Sequence, residues 1–136
     1  MELDLRPVAS VHTRIAALRS LRKGEGAGYN HAWTAPCDTT VAILSIGYSD
    51  GLFRSSSFQG VEVLIHGQRR PLIGAMCMDQ CLVDLGTLPA AIGEEVVVIG
   101  IQGSESISAL EVAEKNETIV PETLSMLRGR MPRILV

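Results

Sequence analysis

Thr40-Val41-Ala42-Ile43-Leu44-Ser45-Ile46 followed by Gly47-Tyr48-Ser49-Asp50-Gly51 is the stretch whose reading decides the fold of this chain. The first seven residues form a short apolar, β-branched run that reads as a fully buried strand. Asp50-Gly51 supplies the chemistry of a tight turn, so Tyr48 stands where a buried strand ends. The same alternation of short apolar runs and turn clusters continues on both sides. Val8 to Leu21 is apolar and β-branched enough for a long strand. Val61 to Ile65 leads through a His66-Gly67-Gln68 turn into Pro71 to Met76, a predicted hairpin. Gln80 to Asp84 and Glu94 to Ile99 follow, the latter punctuated by Gly93 and Gly100. Strands at intervals of roughly a dozen residues are the pattern of a barrel or sandwich. The expected class is therefore mainly β and barrel-like.

Past Gly103 the period changes. Ser106 to Lys115 starts with an N-cap serine and carries apolar residues at Ile107, Leu110, Val112 and Ala113, which predicts a short amphipathic helix. Thr118 to Leu127 predicts a second, with Pro121 acceptable in its first turn. Arg133 to Val136 reads as a strand-like tail. Helices that decorate strands, rather than alternate with them, disfavour a doubly wound α/β fold.

A length of 136 residues suits one domain, 1–136, and 46% apolar with 20% charged residues is ordinary globular composition. The net charge of −3 and scattered arginines, paired only in places such as Arg69-Arg70, argue against a nucleic-acid surface. The longest apolar runs, such as Val96-Val97-Val98-Ile99, are far shorter than the ~20 residues that cross a bilayer, so no membrane partner is expected. Three cysteines, Cys37, Cys77 and Cys81, cannot all pair, and the opening Met1-Glu2-Leu3-Asp4 is acidic rather than signal-like. Free thiols in a reducing cytoplasm follow as the expectation. Cys77 and Cys81, four apart, would share one face of a strand, but two thiols fall short of the four ligands usual for zinc, and no metal site is predicted.

Several motifs recur in a defined order. Leu5-Arg6-Pro7-Val8-Ala9-Ser10-Val11-His12-Thr13-Arg14-Ile15 comes first, then the Lys23-Gly24-Glu25-Gly26 turn, then Tyr29. Ile46-Gly47-Tyr48-Ser49-Asp50-Gly51, Cys77-Met78-Asp79-Gln80 and Met131-Pro132-Arg133-Ile134 complete the series. Across nearly the whole chain this order resembles the C-terminal β-domain of the alanine racemase family, and the chain is expected to begin where that domain begins. The resemblance implies that Tyr29 is a catalytic acid or base, that the Met78 backbone amide binds the substrate carboxylate, and that Tyr48, Arg54 and Asp79 line the substrate entry. It also implies a small amino-acid substrate, pyridoxal phosphate in the full-length enzyme, and a head-to-tail homodimer. In that dimer the tyrosine reaches the site of the opposite subunit. The Schiff-base lysine and phosphate clamp lie on a separate pyridoxal-phosphate-binding barrel of the same or a partner subunit.

Each of these residues also has a plain structural reading: Tyr29 as an aromatic cap on a core edge, Tyr48 as a strand end, Met78 as core filler and Arg54 as an exposed loop charge. The two lysines decide what the chain can do alone. Lys23 sits in a polar turn and Lys115 at a helix end, both expected to be solvated, so neither resembles a cofactor-bearing amine. A tyrosine, with an ordinary pKa of about 10, serves as a base near neutrality only beside groups that stabilise its phenolate. No cofactor is expected on this chain alone, and no racemisation. Departures from the family pattern are Pro121 in place of a phosphate-binding tyrosine, Ala75 in place of an arginine, Gly28-Tyr29-Asn30 in place of Ser-Tyr-Gly, and Trp33 in place of a tyrosine. They bear on phosphate binding and on which amino acid is taken. Alternative classes are a free-standing β-domain that binds a ligand or protein without chemistry, and a regulatory subunit of a complete racemase.

Overall fold

A computed structural model describes residues 3–136; Met1 and Glu2, and with them the start of the acidic opening segment, lie outside the described residues. Strand β1 (Val11–Leu21) is long enough to serve two neighbours. Its second half pairs antiparallel with β4 (Thr39–Leu44), from Ile15 opposite Leu44 to Leu21 opposite Thr39, with a bulge between Ile15 and Ala17. Between them lies a small ribbon, β2 (Gly26–Ala27) with β3 (Trp33–Thr34), joined through a 3-10 turn at Tyr29–His31. Next come β5 (Glu62–Ile65), β6 (Gln68–Ile73), β7 (Cys81–Gly86), β8 (Glu95–Gln102) and β9 (Glu105–Ile107). Two helices follow, α1 (Ala109–Lys115) and α2 (Val120–Ser125). The sheet runs β1-β4-β7-β6-β5-β8, and β8 returns to the first half of β1, closing a six-stranded barrel with β9 added to β8. Closure removes the unpaired edges that an open sheet would present.

Alternation along the strands divides the apolar residues between two cores. Ala42 and Leu44 of β4, Leu72 of β6, and Cys81, Val83 and Leu85 of β7 belong to the larger cluster together with Ile15, Val63, Leu64 and Val97. Leu21, Val41 and Ile73 belong to a second, smaller cluster with Ala27, Ala35, Trp33 and Leu82. In β4, β6 and β7 the members of this second set occupy the alternate positions, so they lie on the outer face of the wall. The segment 22–38 is packed against that outer face.

The mainly β class with two short helices is as the sequence predicts. Differences are local. β1 starts at Val11, not Val8. The β5–β6 hairpin turns on two residues, His66 (φ 52°) and Gly67 (φ 69°), and the strand resumes at Gln68. That two-residue, left-handed turn matches the twist of the flanking strands. β8 shifts its register against β1 between Val97 and Ile99, runs through Gly100 (φ 137°), which pairs with Ile107 of β9, and continues to Gln102. Ser106 lies in β9, and the N-cap of α1 is Ser108, whose side chain accepts the Glu111 N–H. α2 is shorter than 118–127, with Pro121 in its first turn. Residues 131–136 form no strand and are mostly exposed. No described helix is long and apolar enough to cross a membrane.

Candidate functional site

Three turns meet at one end of the β4–β7 wall. After Ile46 the chain enters Gly47, where a Cβ would fall 2.4 Å from the Cys77 carbonyl oxygen and 2.5 Å from that of Met78. Only glycine permits that approach. The Tyr48 N–H then donates to the Cys77 carbonyl (3.1 Å), while the Ser49 N–H and hydroxyl both donate to the Met78 carbonyl (2.8 and 2.6 Å). The Cys77–Met78 peptide is trans, so binding its oxygen to Tyr48 turns the Met78 N–H directly away from the Gly47–Ser49 turn. Among the described residues that N–H meets no acceptor. Met78 itself is 59% exposed and Tyr48 37%, whereas the ordinary fate of both residue types is a more buried one.

Arg54 opens a 3-10 turn, Arg54–Phe58, whose Ser57 hydroxyl donates to the Gly74 carbonyl. Arg54 and Asp79 are both exposed. The structure therefore brings Tyr48, Met78 and Asp79 together, with Arg54 in a turn tied to Gly74, where the approach to the Cys77–Gln80 turn begins.

Tyr29 reaches the same region from another direction. It is 67% exposed, in the 3-10 turn of segment 22–38, which the second core holds against the outer face of the barrel. Gly28 and Gly74 let the two chains cross closely: both have positive φ, and a Cβ on Gly28 would lie 3.1 Å from the Ala75 nitrogen. Tyr29, Ala75, Cys77 and Gln80 border one cavity of about 320 Å³, with Leu21, Ile43 and Leu82 on its apolar wall and Arg19 at its side. Met78, Tyr48, Arg54 and Asp79 do not line it.

Two features escape the linear reading. Asp50, in the tight turn, is only 2% exposed; its carboxylate accepts the Gly47 N–H (3.0 Å) and the Arg130 Nε–H (3.1 Å). Arg130 also donates from Nη2 to the Asp79 carbonyl (2.9 Å), and the Asp50 hydrogen bond, then its charge, holds the guanidinium above its ordinary pKa. The motif Met131-Pro132-Arg133-Ile134 lies just beyond, but nothing local marks Arg130. Cys81 is the second feature. Burial, with smaller contributions from Cys77 and Asp50, pushes its thiol up to about 12. Cys81 belongs to β7, but Cys77 lies in the preceding turn, so the pair does not share a strand face.

The residues present do not fit an aldehyde cofactor. Lys23 is exposed, and Lys115, rather than solvated, is committed to Glu111 (3.1 Å) and Glu62 (3.5 Å). Among the described residues no group of three or more His, Cys, Asp or Glu gathers as a metal ion would require. What the arrangement offers is an exposed phenol, an amide donor without an acceptor among the described residues, and the exposed charges of Arg54 and Asp79.

A family model described as alanine racemase, C-terminal domain, matches residues 8–135. The alanine racemase of Mycobacterium ulcerans is 43% identical over 135 residues, covering 98% of this chain and 34% of that protein. The chain thus spans about a third of the length of this relative. Among solved structures, the histidine racemase of Leuconostoc mesenteroides subsp. sake superposes with a TM-score of 0.91 at 30% identity, over 98% of this chain and 36% of that one. The alanine racemase of Bartonella henselae, solved with covalently bound pyridoxal phosphate, gives 0.84 at 29% identity, over 93% and 34%. Barrel topology, motif order and these matches agree: the chain belongs to the alanine racemase C-terminal domain family.

Proposed function

We propose that this chain, as a single domain, is the C-terminal part of a pyridoxal-phosphate-dependent racemase of alanine or a related small amino acid. In this reading it supplies Tyr29 as acid or base, and substrate-side groups, to the active site of a partner subunit in a head-to-tail homodimer in the cytoplasm. The observation that carries it is the Met78 N–H, without an acceptor among the described residues, in an exposed turn bound to the turn of Tyr48 and followed by exposed Asp79. A backbone N–H without an internal acceptor is costly unless water or a ligand meets it, and a carboxylate is a strong acceptor for it.

Racemisation requires a proton to be removed from one face of the α-carbon and returned to the other. The cofactor, held by a separate barrel, supplies the electron sink that makes that proton removable. Tyr29 Oη would give or take the proton on one face. Its exposure here is then the exposure of a residue whose neighbours belong to another chain. Tyr48, Arg54 and Asp79 would border the path by which the amino acid enters, and the amide of Met78 would hold its carboxylate. Alone, the chain carries no group to replace the cofactor and is inactive.

Mixing the chain with a lysine-bearing barrel of the family and following alanine racemisation by loss or gain of optical activity tests this. Activity in the mixture, none in either part, and a loss of about 10² or more in Tyr29→Phe are expected. Equal activity with phenylalanine at position 29 sinks the acid–base assignment. Pro121, which cannot donate the phosphate hydrogen bond of the family pattern, favours a second reading as a free-standing β-domain that binds a ligand or a partner protein without chemistry. That reading predicts no racemisation in the mixture with a barrel, and binding that does not depend on Tyr29.

A further inference from the structure

We propose that Arg130 is a positioning residue: by clamping Asp50 and the Asp79 carbonyl it sets the two turns that present Tyr48 and the Met78 amide. Its effect on substrate rests on the racemase reading above; its effect on the turns does not. A buried carboxylate persists only where donors replace its hydration. Asp50 receives one backbone N–H, from Gly47, and its remaining donors come from the Arg130 guanidinium, at 3.1 Å to Oδ1 and 3.4 Å to Oδ2. The same Nη2 reaches the carbonyls of Asp79 (2.9 Å) and Ser45 (3.4 Å). A planar fork of fixed geometry can hold several acceptors at once, which a point-like ammonium does less well.

The consequences propagate through backbone. The Arg128 N–H donates to the Asp50 carbonyl (3.2 Å), and a Cβ on Gly51 would fall 2.2 Å from the Met126 oxygen, so segment 126–130 lies flat against the turn. Asp50 orients Gly47. Gly47 in turn seats the chain close enough for the Tyr48 N–H to reach Cys77 and the Ser49 N–H to reach Met78. Arg130 grips the other side of Met78 through the Asp79 carbonyl. The peptide whose N–H faces outward is thereby held at both ends, and one exposed side chain, remote in sequence, is common to both holds.

Amide hydrogen exchange of the full chain, resolved by NMR, reads the clamp directly. In Arg130→Gln, exchange at Tyr48 and Ser49 is expected to rise about tenfold or more, while barrel amides such as Leu64 and Val83 stay within about twofold. Arg130→Lys, which keeps the charge, is expected to recover part of the protection. It carries the comparison by itself should Arg130→Gln not fold. Unchanged exchange at Tyr48 and Ser49 overturns the proposal, and so does a uniform rise across the barrel, which a merely stabilising arginine would give. In the active mixture with a barrel, Arg130→Gln is expected to raise KM for the amino acid about tenfold with kcat within about twofold, because Tyr29 sits on a separate segment. An unchanged KM overturns the substrate effect. Should no barrel restore activity to the unaltered chain, the racemase reading fails while the exchange result still decides the clamp.

Discussion

Cys81 follows the turn that carries Met78, and its chemistry is set chiefly by burial, with smaller contributions from Cys77 and Asp50. With the thiol pushed up to about 12, only about one molecule in ten thousand carries a thiolate there at pH 8. Iodoacetamide followed by site mapping is therefore expected to label exposed Cys37 in the native protein and to spare Cys81 until denaturant is added. Labelling of Cys81 at the rate of Cys37 in the native state would contradict the buried placement. At Gly47 the requirement for glycine is steric. Its φ of −149° suits any residue, so what excludes a side chain is the pair of carbonyls at 2.4 and 2.5 Å. Gly47→Ala should cost about 1–3 kcal/mol in chemical denaturation, as overpacking at a tight contact does. At this scale Tyr48 and Met78 are legible as candidates because each sits in a short motif, and Tyr29 is legible by its order and spacing after the Lys23–Gly26 turn. Arg130 is not: its acceptors lie 80 and 51 residues away, on Asp50 and Asp79, and no local pattern connects them.

Among the elements, α1 shows how two equivalent local signals are resolved. Ser106 and Ser108 are both good N-cap residues, and both precede the same apolar stripe. Pairing of β8 with β9, Gln102 opposite Glu105 across a turn at Gly103, draws Ser106 into a strand and leaves Ser108 to accept the Glu111 N–H at 3.0 Å. Ser108→Ala should destabilise by about 1 kcal/mol, whereas Ser106→Ala should stay within about 0.5 kcal/mol. Thermal or urea denaturation of the two variants checks the assignment, and the reverse order would restore the earlier cap. The β2–β3 ribbon was illegible for a related reason. Two residues per strand carry no periodicity, and the ribbon exists because Ala27 and Trp33 pack into the outer core with Leu21, Val41 and Ile73.

Across the whole molecule, Arg69 of β6 gathers charges from three other elements: Glu62 of β5 (3.2 Å), Glu105 of β9 (3.1 Å) and Glu111 of α1 (2.6 Å) surround it. Its hydrogen bond, ahead of the one from Lys115, holds the Glu111 carboxyl below the ordinary value of 4.5. A carboxyl made more acidic by folding binds its proton more readily in the unfolded chain, so this contribution is complete above 4.5 and is lost as the pH falls through the lowered folded value. Both partners are partly solvated, which keeps the effect small. The urea midpoint should fall as the pH drops below the ordinary value of 4.5 through the lowered folded value, and less steeply in Glu111→Gln. An identical slope in the variant would remove Glu111 from the account. By itself the sequence determined the mainly β class, most strand positions, the turn at Asp50-Gly51 and the identity of the motif residues, because alternation and turn chemistry act over a few neighbours. Barrel closure through the two halves of β1, the outer core that presents Tyr29 beside Cys77 and Gln80, the outward Met78 N–H and the Arg130–Asp50 clamp were decided only by the tertiary structure. Each depends on the spatial meeting of segments far apart along the chain, and the packing and electrostatics that select those meetings have no local signature.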